Sequence, residues 1–109
     1  MASELFKVAL KPTCSNSEVK LIDGASGHTY VVLSITICET AGAAETFDLY
    51  VDDGDGGTDH YIYKTQAIGA NETFEHTGRI VLEATDMLGI ITASSADLDV
   101  VVSYLDQTL

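Results

Sequence analysis

The densest cluster of groups that could do chemistry is an acidic, glycine-rich stretch, Asp52-Asp53-Gly54-Asp55-Gly56-Gly57-Thr58-Asp59. Carboxylates on a flexible loop suit a hard cation, because calcium takes six to eight oxygen ligands. Asp53, Asp55 and Asp59 are the candidate ligands. The pattern opens like a calcium loop but then departs from it: Gly57 stands where the third ligand belongs, and Lys64 where the closing glutamate belongs. The stretch reads as an acidic connection between strands, and no metal or other cofactor is expected. His28, His60 and His76 are the imidazoles, and none pairs with another, or with Cys14 or Cys38, at a zinc-ligand spacing. Solvated or locally hydrogen-bonded histidines are expected. Serine, histidine and aspartate all occur, yet there is no Gly-x-Ser-x-Gly elbow and no glycine-rich phosphate loop leading into a helix. Catalysis is therefore not expected. Tyr30, Tyr50, Tyr61, Tyr63 and Tyr104 could stack on carbohydrate, or pack in a core or subunit contact, since tyrosine joins an apolar ring to a polar tip. Tyr61 and Tyr63 read as sharing one strand face and are assigned to an interface.

The elements that would position these residues follow a period of two, the signature of pleated strands. Val31, Leu33, Ile35 and Ile37 fall on one side of an extended run; Tyr30, Val32, Ser34, Thr36 and Cys38 fall on the other. An aspartate at Leu33 or Ile35 is accordingly expected to prevent folding. In the next strand Phe47, Leu49 and Val51 point inward, and Asp48 and Asp52 to solvent. The small-residue stretch between the two, residues 39–45, has hairpin length. Further strands are expected at 19–22, 61–64, 72–76, 79–83, 88–92 and 97–104, with Phe6, Val8 and Leu10 alternating in a first one. No segment carries a helical stripe. Eight or nine strands with turns every 8–12 residues suggest an antiparallel sandwich or a barrel.

A chain of 109 residues is one domain long. Residues 18–109 are expected to form that domain. Residues 1–17 are an N-terminal strand or arm that can dock on a neighbour, and Pro12, Ser15, Asn16 and Ser17 mark a loop within it. Phe6, Val8 and Leu10 are placed at an interface or in the sandwich: they would complete it or add to a neighbour's sheet edge, with the first preferred. Seventeen acidic against five basic residues give a formal charge of −12. That balance argues against nucleic-acid phosphate and anionic membrane as partners. There is no apolar run of transmembrane length and no basic-then-apolar leader. Without an export signal the two cysteines are expected as reduced thiols, Cys38 buried.

Several stretches together carry a resemblance. They are Ser34-Ile35-Thr36-Ile37-Cys38-Glu39-Thr40, Ala44-Glu45-Thr46-Phe47-Asp48-Leu49, Tyr61-Ile62-Tyr63-Lys64, Ile68-Gly69-Ala70-Asn71-Glu72-Thr73-Phe74, Ile80-Val81-Leu82-Glu83-Ala84-Thr85-Asp86 and Ile90-Ile91-Thr92-Ala93-Ser94-Ser95. In this order, over most of the chain, the sequence resembles small virion proteins of tailed bacteriophages. The resemblance implies a jelly-roll or immunoglobulin-like sandwich without catalysis. Proteins of this kind include capsid cement (decoration) proteins, and a trimeric cement protein made in the host cytoplasm and bound to the major capsid protein is expected, on the outer capsid surface because packed DNA shares the chain's negative charge. A tail, baseplate or neck accessory subunit bound to tail proteins is the alternative, and a calcium-dependent glycan-binding module is a more distant one. The acidity of residues 52–59 departs from the group's more neutral loop.

Overall fold

The computed structural model describes residues 3–54 and 57–108 and is all-β. The nine strands are β1 (Ser3–Cys14), β2 (Val19–Asp23), β3 (His28–Glu39), β4 (Glu45–Asp52), β5 (Asp59–Ile68), β6 (Thr73–His76), β7 (Ile80–Leu82), β8 (Met87–Thr92) and β9 (Leu98–Thr108). One sheet runs β1-β9-β3, with β6 and β7 pairing different stretches of β3. The other runs β2-β8-β4-β5. Every pairing is antiparallel. The chain changes sheet at nearly every connection, and if β6 and β7 count as one interrupted strand this is the order of an eight-stranded jelly roll.

One connection differs from the reading of the sequence. The stretch after β3 is not a hairpin but a bridge between sheets, because β3 and β4 lie in opposite layers. Only β4 and β5 are both consecutive and paired.

The core lies between the layers. Val32, Ile35 and Ile37 of β3 and Val100 and Val102 of β9 face Phe47, Leu49, Leu88 and Ile90 of the second sheet, all at most 1 % exposed. Burying each such side chain contributes about 1.5–3 kcal/mol before the entropy of ordering is subtracted. Phe74 of β6 closes one side, its ring 5.3 Å from Phe47 and 4.9 Å from Tyr63, both edge to face.

β-Bulges reset which residues face inward. The β3–β9 register shifts between Val32 and Ser34. Upstream of it Tyr30 and Val32 are buried; downstream it is Ile35, Ile37 and Glu39. Leu33 is the extra residue, only half-buried, and does not share the core face of Ile35 as its spacing suggests. The same shift leaves Cys38 half-buried on the outer side, while Cys14 is the fully buried thiol. Burial pushes the Cys14 thiol up to about 11, which makes it unreactive.

Candidate functional site

Along β1, alternate residues lie directly opposite outward-facing residues of β9: Phe6 opposite Leu105, Val8 opposite Ser103, Leu10 opposite Val101. Directly opposed residues share a face of the pleat. Val31 of β3 and Val81 of β7 continue the row from Leu105. This one row of the outer face is therefore apolar from edge to edge, while the rows beside it pass from Val8 to Ser103 and Ser34, and from Leu10 and Val101 to Thr36 and Glu75. Phe6 is 81 % exposed, Leu10 64 %, Val81 57 % and Val8 54 %. Small side chains at Ser103 and Ser34 leave a shallow hollow beside the Phe6–Val8 ridge, with Leu33 on its far wall.

Charge is kept to the margin of this face. Glu4, Asp99 and Glu75 are exposed there, with Glu4 accepting from the Gln107 amide at 3.1 Å. None of the described lysines or arginines in β1, β9, β3, β6 and β7 points outward. Lys7 and Lys11 lie on the other side of β1, opposite Tyr104 and Val100. Lys7 reaches the buried Asp106 at 2.8 Å, and His28 meets the same carboxylate at 2.7 Å. His28 and Lys7 hold the Asp106 carboxyl below its ordinary value. This three-group cluster ties the edge strand β1 to β9 and β3.

The outer face of the second sheet is different. It pairs charges of both signs: Lys64 with Asp48 at 3.0 Å and Lys20 with Asp23 at 3.9 Å. Burial works against the Asp48 carboxylate, but the Thr65 amide and Lys64 outweigh it and leave its pKa lowered. Tyr50 lies over Gly89, where an added Cβ would come within 2.8 Å of the ring. Its hydroxyl donates to Glu18, and burial followed by that carboxylate raises its pKa.

The acidic loop is occupied by its own backbone. Asp52 was expected in solvent, but it is 5 % exposed and accepts from the amides of Gly54 and Gly57, each at 3.0 Å. Asp53 accepts from the Thr58 amide at 2.9 Å and faces His60 Nε2 at 3.0 Å; His60, then Thr58, lower its pKa. Asp59 is exposed, and Asp55 lies outside the described residues. Among the described residues no group of three or more His, Cys, Asp or Glu side chains is placed to hold a metal ion.

Tyr61 and Tyr63 do not share a face. The β4–β5 register shifts between them, so Tyr61 opposes Tyr50 on the outer side and Tyr63 opposes Leu49. Tyr63 bonds His76 Nδ1 at 2.8 Å, and Lys64 Nζ lies 4.5 Å over the Tyr61 ring. Reading the sequence did not find Val81, Val101 and Leu105 as part of a face with Phe6, Val8 and Leu10. Each strand shows its own alternation, but nothing local says which strands lie side by side.

No protein-family model matches the sequence, and no curated protein sequence does. Similar folds occur among solved structures. A chain from the disulfide-linked pili of Bacillus endospore appendages aligns over 100 % of this chain and 91 % of its own length, with TM-score 0.60 and 13 % identity. A chain from the acidic-stable capsid of Helicobacter pylori bacteriophage KHP30 aligns over 97 % and 92 %, with TM-score 0.54 and 14 % identity. A chain from infectious bursal disease virus, strain Gx, aligns over 98 % of this chain and 32 % of its own, with TM-score 0.54 and 11 % identity. At these identities the likeness is one of fold, an all-β sandwich shared with chains of a pilus, a phage capsid and another virus.

Proposed function

We propose that this chain is a non-enzymatic structural subunit of a virus particle. Within that class we read it as a capsid cement protein, seated on the outside of the shell and bridging neighbouring capsomers. The observation that carries the reading is the apolar outer face bearing Phe6, Val8 and Leu10 on a chain whose formal charge is −12. A face of this kind is stable in water only at a cost and marks a contact surface.

Electrostatics supports the outer location. Packed DNA has the same sign as this chain, and facing outward removes that repulsion. A trimer, the assembly expected for such a protein, would carry three times the charge, so its contacts must rest on apolar burial or basic partners. Cement acts by mass action, because it binds the joined state of the shell and not the separated one. The fold likeness to a phage capsid chain is consistent with this role.

The test is copy number. Gel densitometry of purified particles should show the chain in hundreds of copies, near the stoichiometry of the shell protein. A handful of copies per particle would move it to a tail, baseplate or neck. Absence from purified particles would end the structural reading.

A further inference from the structure

We infer that the apolar face of the β1-β9-β3-β7 sheet is covered by a protein surface that is apolar at its centre and basic at its edge, belonging to the shell lattice and not to a second copy of this chain. The inference rests on the structural-subunit reading above and names the docking face and its partner.

The argument begins with what the face lacks. Its apolar residues run from edge strand to edge strand, Phe6, Val8 and Leu10 on β1, Val101 on β9 and Val81 on β7, all exposed. Its margin offers Glu4, Glu75 and Asp99 against a single exposed cation, Arg79, just before β7, so acid is in excess there. A second copy packed face to face would set these carboxylates against one another on two chains of −12 each. Salt screens charges beyond about 8 Å, but it does little for acids brought together at a closing interface. A partner with lysine or arginine around an apolar patch meets both needs: the patch is removed from water, and each edge carboxylate gains an opposite charge.

The opposite side of the sandwich gives the contrast. There Asp48 is already matched by Lys64, and Asp23 by Lys20, in the same chain. That face has its own counter-charges and little uncovered apolar surface. It is the side left in water, which orients the molecule on the particle.

The experiment is co-sedimentation of the purified chain with shells of its own particle from which it has been stripped, alongside light scattering of the chain alone. Phe6→Asp/Val8→Asp should fold as the parent does, because both side chains are more than half exposed, and should bind about 100-fold more weakly. Glu4→Lys/Glu75→Lys should bind about tenfold more weakly, and its binding should depend less on salt. Asp23→Ala, on the far side, should bind as the parent does. If the parent rebinds and Phe6→Asp/Val8→Asp rebinds equally well, the docking face is wrong while the structural role stands. Tighter binding by Glu4→Lys/Glu75→Lys would show that the partner is acidic and overturn the proposed edge. An oligomer that Phe6→Asp/Val8→Asp dissolves would show that a second copy covers the face. Failure of the parent to rebind would remove the shell reading together with the inference.

Discussion

Glu39 shows how one side chain joins two distant loops. It is 1 % exposed, and its carboxylate accepts from Gly42 at 2.8 Å, Ala41 at 2.9 Å, and Ala43 and Asn71 at 3.1 Å. A buried carboxylate is tolerable only with such partners. The Asn71 amide, followed by those of residues 41–43, outweighs burial and holds its pKa below the ordinary 4.5. A depressed carboxyl stabilises the fold fully above its unfolded value and loses that contribution as pH falls through the lower, folded value. Glu39→Gln should therefore melt on the order of 5–10 °C below the parent at pH 7. The gap should narrow at pH 3, below the ordinary 4.5, because the unfolded chain's carboxyl takes up a proton there while the depressed folded one resists it. Thermal melts followed by circular dichroism at the two pH values read this directly; a gap of equal size at both would show that the carboxylate's charge is not what holds the loops. The spacing of Glu39 from residues 41–43 is local and visible in the sequence, but its bond to Asn71 is not.

At the scale of the strand, bulges decide which apolar residues matter. Strict alternation puts Leu33 and Ile35 on one face, but the register shift between Val32 and Ser34 separates them. Ile35 is fully buried while Leu33 borders the outer hollow. Ile35→Asp should abolish folding, because an unpaired carboxylate in the core costs several kcal/mol against a total stability of about 5–15 kcal/mol. Leu33→Asp should retain the β-sheet circular dichroism spectrum and a cooperative melt, contrary to the expectation from spacing alone. Loss of folding in both variants would place Leu33 in the core after all. A similar shift separates Tyr61 from Tyr63 on the edge strand β5. Neither bulge is marked by a glycine or proline at the extra residue, so neither had a signal to read.

Across the whole molecule the dominant feature is unbalanced charge on a small body. Seventeen acids and five bases share 109 residues, and several acids use backbone amides as their partners in place of cations. Mutual repulsion of the remainder opposes compaction and is weakened by salt. The melting midpoint of the isolated chain should rise by a few degrees between 10 mM and 300 mM sodium chloride. A midpoint that falls over this range would mean that the native ion pairs, such as Lys7 with Asp106, outweigh the repulsion.

The amino-acid sequence by itself determined that the chain is built of strands, how many there are to within one, and that its surface is acidic. Those properties depend on residue type and on a repeat of two, which neighbours along the chain settle. Tertiary structure alone decided between the jelly-roll and immunoglobulin-like strand orders, put β3 and β4 in opposite layers, and joined Phe6, Val8 and Leu10 with Val81 and Val101 in one outward face. The physical reason is that sheet neighbours such as β1 and β9 are about ninety residues apart along the chain. An added residue at a bulge turns every later side chain over without changing the pattern that announces a strand.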